Sequence, residues 1–263
     1  MKNYLFIALF ICSLFLSAGC TEEKSGEHNS TNNALDSADI NQKPSVQSEK
    51  IIKGKIIKIE NDMLLIADTE DKSGLYQIST KKFLGDISKI TTGDIVEIGF
   101  DGTILEIYPS IIANVDYIIF LKNGEDFVGL YYDILMQLYE TDLELNSGID
   151  FIALDLTKDN NLLDSEKTAL LHLLWSKTQK QTNLATYEEL LSENFITVEE
   201  NSNYAQFKTG ILFRLETSEL EQGKFTFNAE KWRSSLGAYF FTNCEARKEN
   251  GTWVYEIGAE MIS

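Results

Sequence analysis

Cysteine, histidine and positive charge are all scarce in this chain, and each shortage removes a class of function. Three cysteines occur, Cys12, Cys20 and Cys244. Two lie within the first twenty residues, so Cys244 is the one thiol of the remainder and no internal disulfide can staple the fold. Within "AYFFTNCEARKENGTW" it has no histidine beside it in sequence. A nucleophilic thiolate needs a basic partner, so Cys244 reads as a core or strand residue. The two histidines, His28 and His172, stand far apart, which leaves histidine-based zinc clusters and Ser-His-Asp catalysis without material. Lysine and arginine number 23 against 41 acidic residues, for a formal net charge of −18. Binding to phosphate backbones requires compensating cations, so nucleic acid is excluded as a partner. An anionic lipid surface would repel the chain as well.

What is present begins with "MKNYLFIALFICSLFLSAGC". Lys2 supplies a positive start, Leu5 to Leu16 run apolar, and Ser17, Ala18 and Gly19 are small. This is a secretory leader, too short for a spanning helix of about 20 residues. Leu16-Ser17-Ala18-Gly19-Cys20 resembles the lipobox of bacterial lipoproteins. That resemblance implies a signal peptide over 1–19, a diacylglyceryl group on Cys20, and a chain anchored at the outer face of the cytoplasmic membrane. Each buried CH2 of an acyl chain is worth about 0.8 kcal/mol, so two or more chains hold firmly. Residues 20–49 are polar, lack aromatics and show no apolar period. They read as a flexible tether that cannot repay its ordering entropy. His28 falls within it.

From Lys50 onward the pattern supports two domains, 50–119 and 120–263, because a period near two gives way to one near 3.6 around Phe120 to Asp126. The first carries 8 lysines against 11 acids, the second 12 cations against 24 acids. "IIKGKIIKIEN", "MLLIAD", "GLYQIS" and "TTGDIVEIGFDGTILEIYP" read as short strands, with turns at Asn61-Asp62 and Thr92-Gly93-Asp94. Asp101-Gly102 carries a hairpin signal. Five strands in such a span predict a small OB-like antiparallel β-barrel. Its aromatics, Tyr76, Phe83, Phe100, Tyr108 and Tyr117, read as core or barrel-end residues. Gly54, Leu64 to Asp68, Gly93-Asp94 and "DGTILEIYP" from Asp101 to Pro109 resemble the YobA-type (DUF3221) domains of Firmicute lipoproteins. The resemblance implies a barrel and an extracytoplasmic address, and no chemistry.

The second region predicts an α+β domain, helices first and antiparallel sheet after, which makes the chain α+β overall. In "EDFVGLYYDILMQLYETD", Phe127, Leu130, Tyr131, Ile134, Leu135 and Leu138 mark one buried face. "DSEKTALLHLLWSKTQK" predicts a second helix capped by Asp164, with Leu170, Leu173 and Leu174 inward and His172 on the opposite, solvent-exposed face. Thr186 with Glu189 suits the start of a third. Asn250-Gly251 marks a terminal hairpin, followed by Trp253, Tyr255 and Ile257 on one face. "FNAEKWRSSLGAYFF" resembles a run in uncharacterised lipoproteins of spore-forming Firmicutes, in which glycine stands at the position of Ser235. There Arg233 is expected to pair with a carboxylate, the alternative being an anionic ligand.

One spacing invites a cation. Asp155, Thr157, Asp159, Asn161 and Glu166 occupy positions 1, 3, 5, 7 and 12 of a calcium loop. Asp155, Asp159, Asn161 and Glu166 are therefore the metal candidates, with calcium the one cofactor considered. Against calcium, position six is Asn160, position nine is Leu163, and a strand precedes the loop. The competing expectation is a polar strand-to-helix connection. No catalytic set is recognisable. The functional expectation is a membrane-anchored extracytoplasmic lipoprotein that binds a ligand or a secreted or envelope protein. The alternative is an acid-dependent envelope hydrolase, whose paired carboxylates a single sequence cannot locate.

Overall fold

The computed structural model describes residues 47–263; the leader, Cys20 and nearly all of the tether lie outside the described residues. The first sheet comprises β1 (Lys50–Glu60), β2 (Met63–Asp68), β3 (Leu75–Ser79), β4 (Ile95–Phe100), β5 (Ile104–Leu105), β6 (Ser110–Ile112) and β7 (Val115–Lys122). Its order is β5-β6-β3-β2-β1-β4-β7. The Asn61-Asp62 turn joins β1 to β2, with Glu60 opposite Met63.

The expected OB-like barrel is not formed. The sheet is open, and its end strands β5 and β7 never pair. One isolated bridge, Phe83 to Ile118, touches β7 from the loop after β3. Barrel closure needs a sustained staggered ladder, and β5 and β6 have two and three residues. The Asp101-Gly102 hairpin fails for a related reason. β4 pairs with β1 and β7, while β5 pairs with β6. Asp101 instead accepts hydrogen bonds from Thr103 N–H at 2.9 Å and Asn114 Nδ2 at 2.8 Å.

Both faces of this sheet are covered, which explains the unbroken apolar run in "LLIAD". Ile56, Leu64, Ile66, Ile78, Val96 and Ile98 cluster on one side. Ile57, the next residue of β1, faces the other by the ordinary alternation of a strand, at a bulge between Ile56 and Lys58. There Ile57, Leu65, Ala67 and Leu75 join the main core.

That core is built on α1 (Phe127–Glu140), entered from β7 through a short connection. Asp126 caps it by accepting from Gly129 N–H at 2.8 Å. Val128 and Met136 are buried along with the expected stripe, because the same core takes in residues of both sheets. The second sheet contains β8 (Phe151–Asp155), β9 (Gln181–Leu184), β10 (Ile196–Val198), β11 (Ala205–Phe207), β12 (Gly210–Thr217), β13 (Lys224–Ser234), β14 (Gly237–Glu249), β15 (Thr252–Glu256) and β16 (Ala259–Ile262). α2 (Asp164–Thr178) connects β8 to β9, and α3 (Tyr187–Ser192) follows β9.

This sheet is mixed, where an antiparallel one was expected: β8 runs parallel to both β12 and β9. It is also the curled one, a half-barrel carrying helices, so curvature sits in the region opposite to the one predicted. Long strands β13 and β14 are bulged at two places, and each bulge sharpens bend and twist. Asn250 and Gly251 turn β14 into β15 with φ of 51° and 86°, as the dipeptide implies.

Three contacts fasten the two sequence regions to each other. Lys55 Nζ on β1 meets Glu166 Oε1 on α2 at 2.6 Å, with side chains 12% and 1% exposed. Ser165 Oγ donates to Asp68 O at 2.5 Å. Lys72 Nζ, in the loop after β2, meets Asp164 Oδ2 at the start of α2 at 3.1 Å.

Candidate binding cleft

The proposed calcium ligands do not converge. Asp155 Oδ1 accepts from Thr157 N–H and Oγ1, at 3.0 and 2.7 Å. Asp159 accepts from the buried Tyr131 hydroxyl at 2.8 Å and from Asn161 and Leu162 N–H, at 3.2 and 3.0 Å. Asn161 Nδ2 donates to Tyr131 Oη, Thr217 Oγ1 and Ser218 O. Glu166 holds Lys55 with one oxygen, and its Oε2 accepts from Leu163 N–H at 3.0 Å. Leu163, not Asp164, is therefore the residue that precedes α2. Burial and the facing Asp159 carboxylate push the Tyr131 phenol well above its usual range. The segment is a strand-to-helix connection that packs over Tyr131 and Thr217. Among the described residues, no group of three or more His, Cys, Asp or Glu could hold a metal ion.

Two other sequence expectations are corrected. Arg233 pairs with backbone rather than with a carboxylate, donating to Leu145 O at 2.7 Å, Ser147 O at 2.6 Å and Lys208 O at 3.2 Å. His172 is half-buried, and its Nδ1 is enclosed without a hydrogen-bond partner. Burial, then the nearby Lys58 ammonium, push its imidazole below the usual range.

His172 sits in a cleft of about 510 Å³ between α2 and the first sheet. His172, Trp175 and Ser176 share one helical face at i, i+3, i+4 spacing. Tyr108 reaches them from the loop between β5 and β6. Its ring stands 5.5 Å from the imidazole at 78°, and the Trp175 ring lies 5.8 Å from the imidazole at 31°. Both outer rings face solvent, Tyr108 at 63% exposure and Trp175 at 44%. Lys58 and Glu60 line the wall and pair with each other at 2.7 Å. Gln77, Asn61 and Ser176 complete it, with side chains that make no hydrogen bond among the described residues. Tyr108, expected as a core or barrel-end residue, is exposed instead, and Trp175 belongs to no motif of the sequence. Only its i+3 relation to His172 signalled the row.

Two further clefts differ in kind. One of about 550 Å³ lies at the carboxyl ends of the parallel strands β8, β9 and β12, the general ligand position of such sheets. Arg214 is paired in register with Asp155 and Glu230 there. It bonds Glu230, and Lys158 bonds Glu216 at 2.5 Å. Each cation already holds a carboxylate. The other, about 570 Å³, brings Asp126 and Asp133 together beside Trp253. Burial, then the Asp126 charge, raise the Asp133 carboxyl.

No model of a known protein family matches the chain, and no curated protein matches it. No described helix is long and apolar enough to cross a membrane.

Proposed function

We propose that the chain is a lipoprotein of the outer face of the cytoplasmic membrane, anchored through diacylglyceryl-Cys20, whose folded part binds a ligand at the Tyr108–His172–Trp175 cleft. The observation that carries this reading is the enclosed, unpaired His172 Nδ1 beside the exposed rings of Tyr108 and Trp175. Asn61, Gln77 and Ser176 stand at the same wall with side chains open to solvent, whereas Arg214 and Lys158 in the acidic cleft are already engaged. Buried polar groups are nearly always satisfied, so an enclosed nitrogen left open beside two exposed rings and solvent-facing amides marks a surface that gains bonds when occupied.

The hydrolase reading has one observation in its favour, the raised Asp133 carboxyl beside Asp126. A raised carboxyl is what a general acid requires. One experiment separates the two readings. His172 and His28 are the only histidines, so ¹³C-labelled histidine gives two resolvable reporters. Soluble fragments of bacterial envelope are titrated in, and the fragments are recovered for mass analysis. The binding reading expects a saturable shift of His172 alone, with fragments intact. Cleaved fragments, with cleavage lost in Asp133→Asn, would replace it with the hydrolase. An unmoved His172 would remove this cleft from the function.

A further inference from the structure

Resting on that reading, we infer that the ligand of the aromatic cleft is a short, uncharged saccharide. The lining excludes the other chemistries in turn. An anion finds one cation, Lys58, which Glu60 neutralises at 2.7 Å, in a chain of net charge −18. A cation finds one carboxylate, the same Glu60, already held by Lys58. A fully apolar ligand, such as an acyl chain, would cover Gln77, Asn61, Ser176 and the ion pair and leave them desolvated without partners, which disfavours it.

What fits is a molecule with apolar faces and edges dense in hydroxyls or amides. A pyranose ring is built that way. Its C–H face suits the exposed Tyr108 and Trp175 rings, whose centroids lie 5.5 and 5.8 Å from that of His172. Its hydroxyls suit side-chain amides, which donate and accept at once. A volume of about 510 Å³ lies in the small-molecule range of roughly 300–1,000 Å³. The outer rings carry most of the contact area, since aromatic side chains dominate such surfaces.

The test uses the full-length protein in lipid nanodiscs, titrated with uncharged tetrasaccharides of glucose and of N-acetylglucosamine and with a carboxylated tetrasaccharide, followed by calorimetry. Expected is saturable binding of at least one uncharged tetrasaccharide, weakened about tenfold, or 1.4 kcal/mol, in Trp175→Ala and in Tyr108→Ala. Both side chains are exposed, so the variants keep the fold. Lys158→Ala, in the other cleft, binds as wild type does. Binding untouched by either aromatic variant would place the saccharide elsewhere. Equal affinity for the carboxylated tetrasaccharide would overturn the neutrality argument. If no saccharide binds while envelope fragments still shift His172, the ligand class is wrong and the binding role stands. If neither binds, both fall.

Discussion

The Lys55–Glu166 pair offers the most exposed test of how this protein is held together. Lys55 belongs to β1 and Glu166 to the first turn of α2, and the glutamate side chain is 1% exposed. Replacing lysine by methionine leaves that carboxylate enclosed, with Leu163 N–H as its remaining partner. Removing one member of a buried pair costs 3–5 kcal/mol, and the 12% exposure of Lys55 sets the expectation at the lower end, about 3 kcal/mol. For a folded part of this size that corresponds to a Tm lower by about 6–12 °C. Glu166→Gln keeps an acceptor for Leu163 N–H and removes the charge, so about 1–2 kcal/mol is lost. The double variant has neither an orphan carboxylate nor an orphan ammonium. It should lose about 2 kcal/mol less than the sum of the single changes, a coupling typical of direct contact. Urea unfolding followed by far-UV circular dichroism and tryptophan fluorescence measures all three. Trp175, Trp232 and Trp253 all follow β7, whereas circular dichroism also reports the first sheet. Coincident transitions are expected, as for one cooperative unit. Additive losses, or a lysine variant within about 0.5 kcal/mol of wild type, would refute the weld between sheet and helix. Separated transitions would restore two independent domains at 50–119 and 120–263.

Two further outcomes are expected. Lys231 is buried, and its ammonium donates to Thr141 O, to Asp142 O at 3.0 Å and to Tyr139 O at 3.3 Å; burial pushes it down to about 8. From pH 8 toward 10.5 the unfolded chain holds a proton that the native state has released, so stability rises with pH. The urea midpoint should climb between pH 7.5 and 9.5, and Lys231→Met should lack that rise. The Cys244 thiol, pushed up by burial, acts in the opposite sense in both proteins, so the difference between them is the reading; equal slopes would refute it. In Gly54→Ala, the new Cβ would lie 2.0 Å from Ile66 Cγ2. Overpacking of that kind costs about 1–3 kcal/mol. Combining it with Ile66→Ala should cost less than the sum, measured by the same unfolding, and strict additivity would refute the clash.

Features written in short-range chemistry were legible from the chain. The period of Phe127 to Leu138, the Thr186 and Glu189 capping box and the Asn250-Gly251 turn each depend on residues a few positions apart. The same signals failed where distant segments competed. Asp101-Gly102 has the hairpin composition, but β4 finds better partners in β1 and β7. The curl lies in the second sheet because the bulges of β13 and β14 bend it, and no periodicity announces them. His172 falls on the polar side of a helical wheel, yet Tyr108 arrives from a loop more than sixty residues earlier and encloses it. Arg233 found carbonyls where an acidic composition suggested carboxylates. The cleft itself was illegible because Tyr108, Gln77 and Trp175 are each unexceptional alone, and only the packing of α2 on the first sheet assembles them.

The loop after α1 carries a lesson for anyone who cuts or extends this chain. Residues 141–147 sit between elements and include exposed Leu143, the profile usually chosen for an insertion or a protease site. Yet Lys231 grips Tyr139, Thr141 and Asp142, and Arg233 grips Leu145 and Ser147. Cations from a strand almost ninety residues away pin its carbonyls like rivets through a seam. A tag placed there would strip a buried ammonium of its acceptors and unseat β13 from below. The Asn250-Gly251 turn, whose glycine has open space around it, is where foreign sequence should be tolerated.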